Sequence, residues 1–184
     1  RLTYSSGTGI YTYTSASGSV ALFDTALGGS GMPYDASARI TSLTLPSGEQ
    51  TTFHYRTEVV SSTTIRRLQS VTNNFGYQLH FEYALNTISN LADLTQWQTL
   101  SGVTAINNAI AYCDPTAASC GLSGWPSVGY VVSGSFETIT DELSNQTRIT
   151  YSGTAIVAVR RPTSPGADNM VVSYSSGRVS SVSN

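Results

Sequence analysis

Apolar and polar residues alternate along most of this chain with the period of a β-strand. Phe53 and Tyr55 share a face with Thr51, while Thr52 and His54 point the other way. Leu79, Phe81 and Tyr83 repeat the arrangement, with His80 and Glu82 opposite. Thr147, Ile149 and Tyr151 do so again against Arg148 and Thr150, and Val172 and Tyr174 close the series. The tyrosines that end these segments are Tyr13, Tyr34, Tyr55, Tyr83, Tyr112, Tyr130, Tyr151 and Tyr174, spaced by 21, 21, 28, 29, 18, 21 and 23 residues. Such spacings mark a repeated supersecondary unit, and about 21 residues suits two strands of five or six residues with two turns. The pattern predicts antiparallel hairpins with one face buried. The aromatic face is the expected core, which leaves His54 and His80 toward solvent or a lumen.

Turn residues fall between the alternating segments. Pro46-Ser47-Gly48 suits a tight turn, and Asn73-Asn74-Phe75-Gly76 occupies the same place one unit later. Glu142-Leu143-Ser144-Asn145 and Ser175-Ser176-Gly177 punctuate later units, and Pro162 to Gly166 reads as a longer loop that no central strand accommodates. Two stretches break the rhythm. Leu91, Leu94 and Trp97, at spacing three, leave open a single helical turn, and the Gly-, Ser- and Pro-rich stretch 113–130 reads as an inserted loop. The expectation is one segment, 1–184, all-β, an array of antiparallel β-hairpins in a curved, spiralling sheet, with an irregular insertion at about 86–130.

Composition supports strands and narrows the partners. Ser and Thr together number 52, Tyr 11 and Gly 16, whereas charged residues make up 11%. Hydrophobic content of 40% and a net charge of −2 argue for a packed domain rather than disorder. All nine basic residues are Arg, and beyond Arg66-Arg67 and Arg160-Arg161 none cluster, so a nucleic-acid footprint is rejected. No stretch approaches the ~20 apolar residues of a membrane-spanning helix, so no membrane insertion is expected. The chain opens on Arg1 and reads as a piece of something longer, whose exposed sheet edges would favour self-association.

Candidate chemistry is sparse. Six residues separate Cys113 from Cys120, too many for the CxxC of a redox or zinc site, and no His lies nearby in the sequence. A local disulfide is one reading, contributing about 2.5 kcal/mol through loop closure and pointing to an oxidising compartment. Two free thiols is the other. His54 and His80 form no HxH, HxxxH or Cys-His grouping, so neither a metal nor a cofactor is expected. Asp141-Glu142 places adjacent carboxylates on opposite strand faces, which do not flank one bond. No GxSxG elbow or phosphate loop occurs, and the reading is non-enzymatic. Trp97 and Trp125 are candidates for stacking on sugar rings.

Tyr34-Asp35, Arg39-Ile40, Leu43-Thr44, Pro46, Gly48 and Tyr55 resemble the RHS, or YD, repeat, with Ala38 where that pattern has Gly. Arg67-Leu68, Val71-Thr72, Gly76 and Phe81-Glu82-Tyr83 resemble a second copy. Asp141 with Tyr151 belongs to a third, and Tyr174, Gly177, Arg178, Val179 and Val182 to the start of a fourth. Asp114-Pro115 lacks the Gly of the Asp-Pro-x-Gly motif at which some RHS shells cut themselves, and is not read as a cleavage site.

The resemblance implies a hollow β-shell in which the signature residues are structural. It implies a secreted or cell-surface bacterial protein whose partner is a toxin segment C-terminal in the same longer chain. The alternative is a recognition module for cell-surface carbohydrate or protein, with Trp125 and neighbouring tyrosines as its contact.

Overall fold

The same four-residue turn closes one hairpin after another. In the computed structural model, Ser15, Leu45 and Asp141 each donate their backbone N–H to the residue four positions on, at 2.8–3.0 Å. The fourth turn residue takes a left-handed backbone: Gly18 at φ 87°, Gly48 at 86°, Gly76 at 88° and Ser144 at 64°. Pro46 and Gly48 thus form the turn expected of them.

The structure describes residues 1–28, 38–164 and 166–184. Tyr34 and Asp35, the best copy of the repeat signature, lie outside the described residues. The chain divides into two compact units, Arg1–Trp125 and Pro126–Asn184. In the first, β1 (Leu2–Ser5), β2 (Ile10–Thr14), β3 (Val20–Asp24), β4 (Arg39–Thr44), β5 (Gln50–Val60), β6 (Thr63–Asn73), β7 (Tyr77–Tyr83) and β8 (Leu100–Asn107) pair antiparallel in chain order. In the second, β9 (Ser127–Ser133), β10 (Phe136–Thr140), β11 (Gln146–Ser152), β12 (Ala155–Arg160), β13 (Met170–Ser175) and β14 (Arg178–Ser183) do the same. The protein is therefore an all-β array of antiparallel hairpins. No helix among the described residues is long and apolar enough to cross a membrane.

The array has a finer repeat than its tyrosine spacing. The register slips by one residue between Leu22 and Phe23, His54 and Tyr55, Glu82 and Tyr83, Thr150 and Tyr151, and Ser173 and Tyr174. Each slip is a β-bulge placed immediately before an aromatic residue. A bulge leaves one residue of the partner strand unpaired and sharpens the local twist.

Next to the bulges of β5–β6 and β11–β12 the following ladder is short. β6 and β7 pair only from Thr72–Gln78 to Ser70–His80, and β12 and β13 only at Ala158–Val171 and Val159–Met170. Beyond those pairs a tyrosine supplies the missing bond. Tyr83 donates its hydroxyl to Leu68 O, and Leu68 is the residue paired with Tyr55 at the preceding bulge. Tyr174 does the same, 2.9 Å from Ile156 O, and Ile156 is the residue paired with Tyr151. At these two places a hydroxyl thus stands where a ladder would place a backbone N–H.

The stretch 86–130 contains strand β8 between two covering arms. The first arm carries a 3-10 turn at Leu91–Asp93 and helix α1 (Leu94–Gln98), so the helical turn suggested by Leu91, Leu94 and Trp97 forms. Trp97 is 0% exposed, packed with Val60 and Ile65 and flanked by Leu85, Ile88, Leu91 and Leu94. The second arm, 108–125, carries a disulfide between Cys113 and Cys120.

These arms reverse one expectation. On β7 the buried side chains are Gln78 and His80, while Leu79 is 45% and Tyr77 56% exposed. Alternation is as anticipated, but the covered face of unit 1 is the one carrying His80, because both arms fold over it. His80 faces neither solvent nor a lumen.

Candidate functional site

The covered face of β5, β6 and β7 holds the densest polar cluster among the described residues. Its geometry begins with the bulge in β6. Ile65 and Arg67 face the arms, and the extra residue at the bulge lets Gln69 and Ser70 follow them inward, both 0% exposed. From β7, His80 and Gln78 join the same layer, opposite Ser70 and Thr72.

Arg67 organises one end. Its guanidinium lies between two rings, 4.1 Å from the centre of Tyr83 and 4.6 Å from that of Trp97. It donates to Trp97 O at 2.6 Å, Leu85 O at 2.8 Å, Asn86 O at 3.4 Å and Gln69 Oε1 at 3.2 Å. Carbonyls and π-faces therefore solvate this cation. The Glu58 carboxylate is taken by Arg56, at 2.7 Å. Burial pulls Arg67 down to about 10, which leaves it protonated across the physiological range. Burial also raises the Tyr83 phenol, with Arg67 pulling it back.

From Arg67 the network runs through Gln69 to His80. Gln69 Nε2 donates to Phe81 O at 2.7 Å and reaches His80 Nε2 at 3.5 Å. The amide is oriented by Arg67 on one side and Phe81 O on the other, so His80 Nε2 is the acceptor and the ring proton sits on Nδ1. That nitrogen lies 3.9 Å from Cys113 Sγ, and the ring also bonds the Ala118 backbone. Burial holds His80 below the ordinary histidine value, and Arg67 adds to this; Glu82 and the Ala118 bond act against it.

The second arm is pinned to the same layer. Ser70 donates to Pro115 O at 2.7 Å, Arg56 to Thr116 O at 3.4 Å, and Asn108 Nδ2 to Gln78 Oε1 at 2.7 Å. His54 is half-buried with Nε2 2.8 Å from Thr72 Oγ1, and burial lowers its pKa against the pull of Asp114. Two buried donors, Trp97 Nε1 and Gln78 Nε2, find no acceptor.

The other signature residues lie in separate structural roles. Arg39 donates to Leu27 O at 2.9 Å and sits 5.7 Å over the Tyr55 ring. Asp141 caps its turn, accepting from the backbone N–H of Leu143 and Asn145, both at 2.9 Å. Tyr151 donates to Glu137 at 3.1 Å, Gly76 and Gly177 hold left-handed turn positions, and Arg178 is exposed. Trp97 offers no face to a sugar, since it is wholly buried. This removes it as a stacking residue, while Trp125 is half-buried.

Sequence reasoning missed the cluster's centre. Ser70 was hidden because a bulge, not alternation, turns it inward beside Gln69. His80 and Cys113 stand 33 positions apart, so no spacing motif joins them. Chemically, the layer carries donors already spent on carbonyls and a histidine shielded from solvent. No known protein-family model matches the chain, and no curated protein matches its sequence.

Proposed function

We propose that this chain is a wall segment of an RHS-type β-shell, a structural part that encloses a C-terminal toxin segment of a longer polypeptide, and that it has no catalytic activity of its own. One observation carries the reading: the splay, bulge and tyrosine hydroxyl recur at corresponding places in two separate units, at Tyr83–Leu68 and Tyr174–Ile156. A device repeated this way serves the array rather than any one site. The Cys113–Cys120 disulfide supports placement at the cell surface or outside it. The test is limited proteolysis of the longer polypeptide with its cargo. Protection of the cargo until the wall is cut is the expected result, and digestion of cargo within an intact wall would overturn the reading.

A second reading, recognition of cell-surface carbohydrate, rests on a concavity in unit 2. A space of about 430 Å³ is lined by Arg148, Arg160 and Arg161 together with Phe136 and Asn145. Arg148 stacks 4.9 Å over Phe136, and Asp168 pairs with Arg160 at 3.3 Å. Guanidinium beside an aromatic ring suits an acidic sugar. Titration with a uronic-acid oligosaccharide should saturate and weaken on Arg148→Ala or Arg161→Ala, with Trp125→Ala as a separate probe of the half-buried tryptophan. No binding to acidic or neutral glycans would remove this reading.

A further inference from the structure

The disulfide and the buried histidine beside it carry chemistry that a wall does not need. The two sulfurs and a ring nitrogen of His80 all lie within 4.8 Å of one another. His80 is fixed on β7 with 0% exposure, and Cys113 is 4% exposed at the start of its loop. The loop does not depend on the disulfide alone for its position. Ser70 holds Pro115 O at 2.7 Å, Asn108 Oδ1 accepts from Cys113 N at 3.4 Å, and Arg56 reaches Thr116 O at 3.4 Å.

We propose that, when this disulfide is reduced, Cys113, Cys120 and His80 form a Zn²⁺ site with its fourth coordination position open. This goes beyond the shell reading and stands without it. Two thiolates and an imidazole are a donor set that zinc favours, with bonds of about 2.3 Å to sulfur and 2.0–2.1 Å to nitrogen. A tetrahedron with those bonds sets its ligand atoms roughly 3.5–3.8 Å apart. His80 Nδ1 and Cys113 Sγ stand at 3.9 Å before any metal binds. The sulfurs then need only part from bonding distance, which side-chain rotation within an anchored loop allows.

The steps balance. Reduction adds two electrons and two protons to the S–S bond, giving two thiols; a dithiol donor becomes a disulfide, and a trialkylphosphine with water becomes a phosphine oxide. Zn²⁺ then displaces both thiol protons into solvent. The ring proton of His80 must move from Nδ1 to Nε2, freeing the Nδ1 lone pair. At that point Gln69 matters as a positioning residue. Its amide nitrogen now faces His80 Nε2 at 3.5 Å, which suits the disulfide form and opposes the metal-bound tautomer. The Gln69 amide must therefore turn when zinc binds. Gln69→Glu would give up the bond to Phe81 O and offer one oxygen to Arg67 Nε and another to His80 Nε2–H, the carboxylate–histidine arrangement of many zinc sites.

The test uses the whole 184-residue chain, reduced with a trialkylphosphine, desalted without oxygen and titrated with Co²⁺ and then Zn²⁺. One equivalent of Co²⁺ should produce near-ultraviolet thiolate-to-cobalt absorption and the visible bands of four-coordinate cobalt, both bleached by Zn²⁺. The disulfide form should give neither. Cys120→Ser should remove much of the charge-transfer band, and His80→Ala should weaken binding by at least about tenfold. Gln69→Glu should tighten it by about 10–100-fold, the usual worth of such a partner. Absence of stoichiometric uptake by the reduced chain overturns the proposal, as does full affinity in His80→Ala. Should His80→Ala fail to fold, an unchanged affinity in Gln69→Glu overturns it as well.

Discussion

Replacing Tyr83 with Phe removes a single oxygen and leaves the ring. Arg67 keeps its π-face at 4.1 Å, so the cation–π contact persists. What disappears is the donor to Leu68 O, a carbonyl beside the β6 bulge and beyond the end of the β6–β7 ladder. A lost hydrogen bond is worth about 0.5–1.5 kcal/mol, and a carbonyl left without a partner in a covered position costs about 1–3 kcal/mol. Tyr83→Phe should therefore destabilise unit 1 by about 1–2 kcal/mol. Tyr174→Phe removes the equivalent bond, but Tyr174 is 40% exposed, so water can stand in and about 0.5 kcal/mol is expected. Tyr77→Phe is the control: that side chain is 56% exposed, and a surface change of this kind stays within about 0.5 kcal/mol. Native-state hydrogen exchange, read unit by unit, measures all three. If Tyr83→Phe costs no more than Tyr77→Phe, the splay is held by something other than the hydroxyl, and the account of the repeat fails.

Other perturbations follow from the same geometry. Arg67→Met strips the donor from three carbonyls and Gln69 Oε1 and should cost unit 1 about 3–5 kcal/mol by urea denaturation; a loss below about 1 kcal/mol would contradict the network. His54 and His80 are both held below the ordinary value of 6.5 by burial, opposed by Asp114 and Glu82 respectively. The unfolded chain thus binds protons first as pH falls, so stability should be full above about pH 6.5 and decline below it. Thermal midpoints between pH 7.5 and 5.5 test this, and a flat profile would refute it. Ser144 holds φ 64° where the matching turns have Gly18, Gly48 and Gly76, so Ser144→Gly should stabilise unit 2 by about 0.5–1 kcal/mol in thermal unfolding. A neutral or negative effect would mean that Ser144 is not strained there.

The hairpins were legible because alternation and turn chemistry are local. Thr51, Phe53 and Tyr55 announce a strand by themselves, and Pro46 with Gly48 announces the turn before it. Which face is covered was not legible. Alternation defines two faces symmetrically, and the choice is made by Leu85, Ile88, Leu91, Leu94 and Trp97, which pack from an arm outside the strand pattern. The disulfide could be read from two cysteines in one loop, whereas its approach to His80 depends on the tertiary fold. The periodic tyrosines were recognisable as structural. The hydroxyl's task at Tyr83 and Tyr174 was not, because the carbonyl each of these two serves is left to it only once a bulge has formed.

The β6 bulge also works as a reading frame. Ile65 and Arg67 reach the covered face from odd positions, and Ser70 and Thr72 from even ones, because Gln69 is the one supernumerary residue between them. Deleting Gln69 would close the bulge and leave Arg67, Leu68, Ser70 and Val71 in plain alternation, so every remaining side chain of β6 would keep its face while the added twist is lost. Deleting Val71 instead, with the bulge kept, would put Thr72 on the face that points away from the arms and Asn73 on the covered one. A single-residue deletion outside the bulge is thus a frameshift written in space, altering the surface address of residues whose identities are untouched. The same arithmetic holds at the bulges before Phe23, Tyr83, Tyr151 and Tyr174, so tolerance to insertion should be high in the arms and low within two residues of each aromatic.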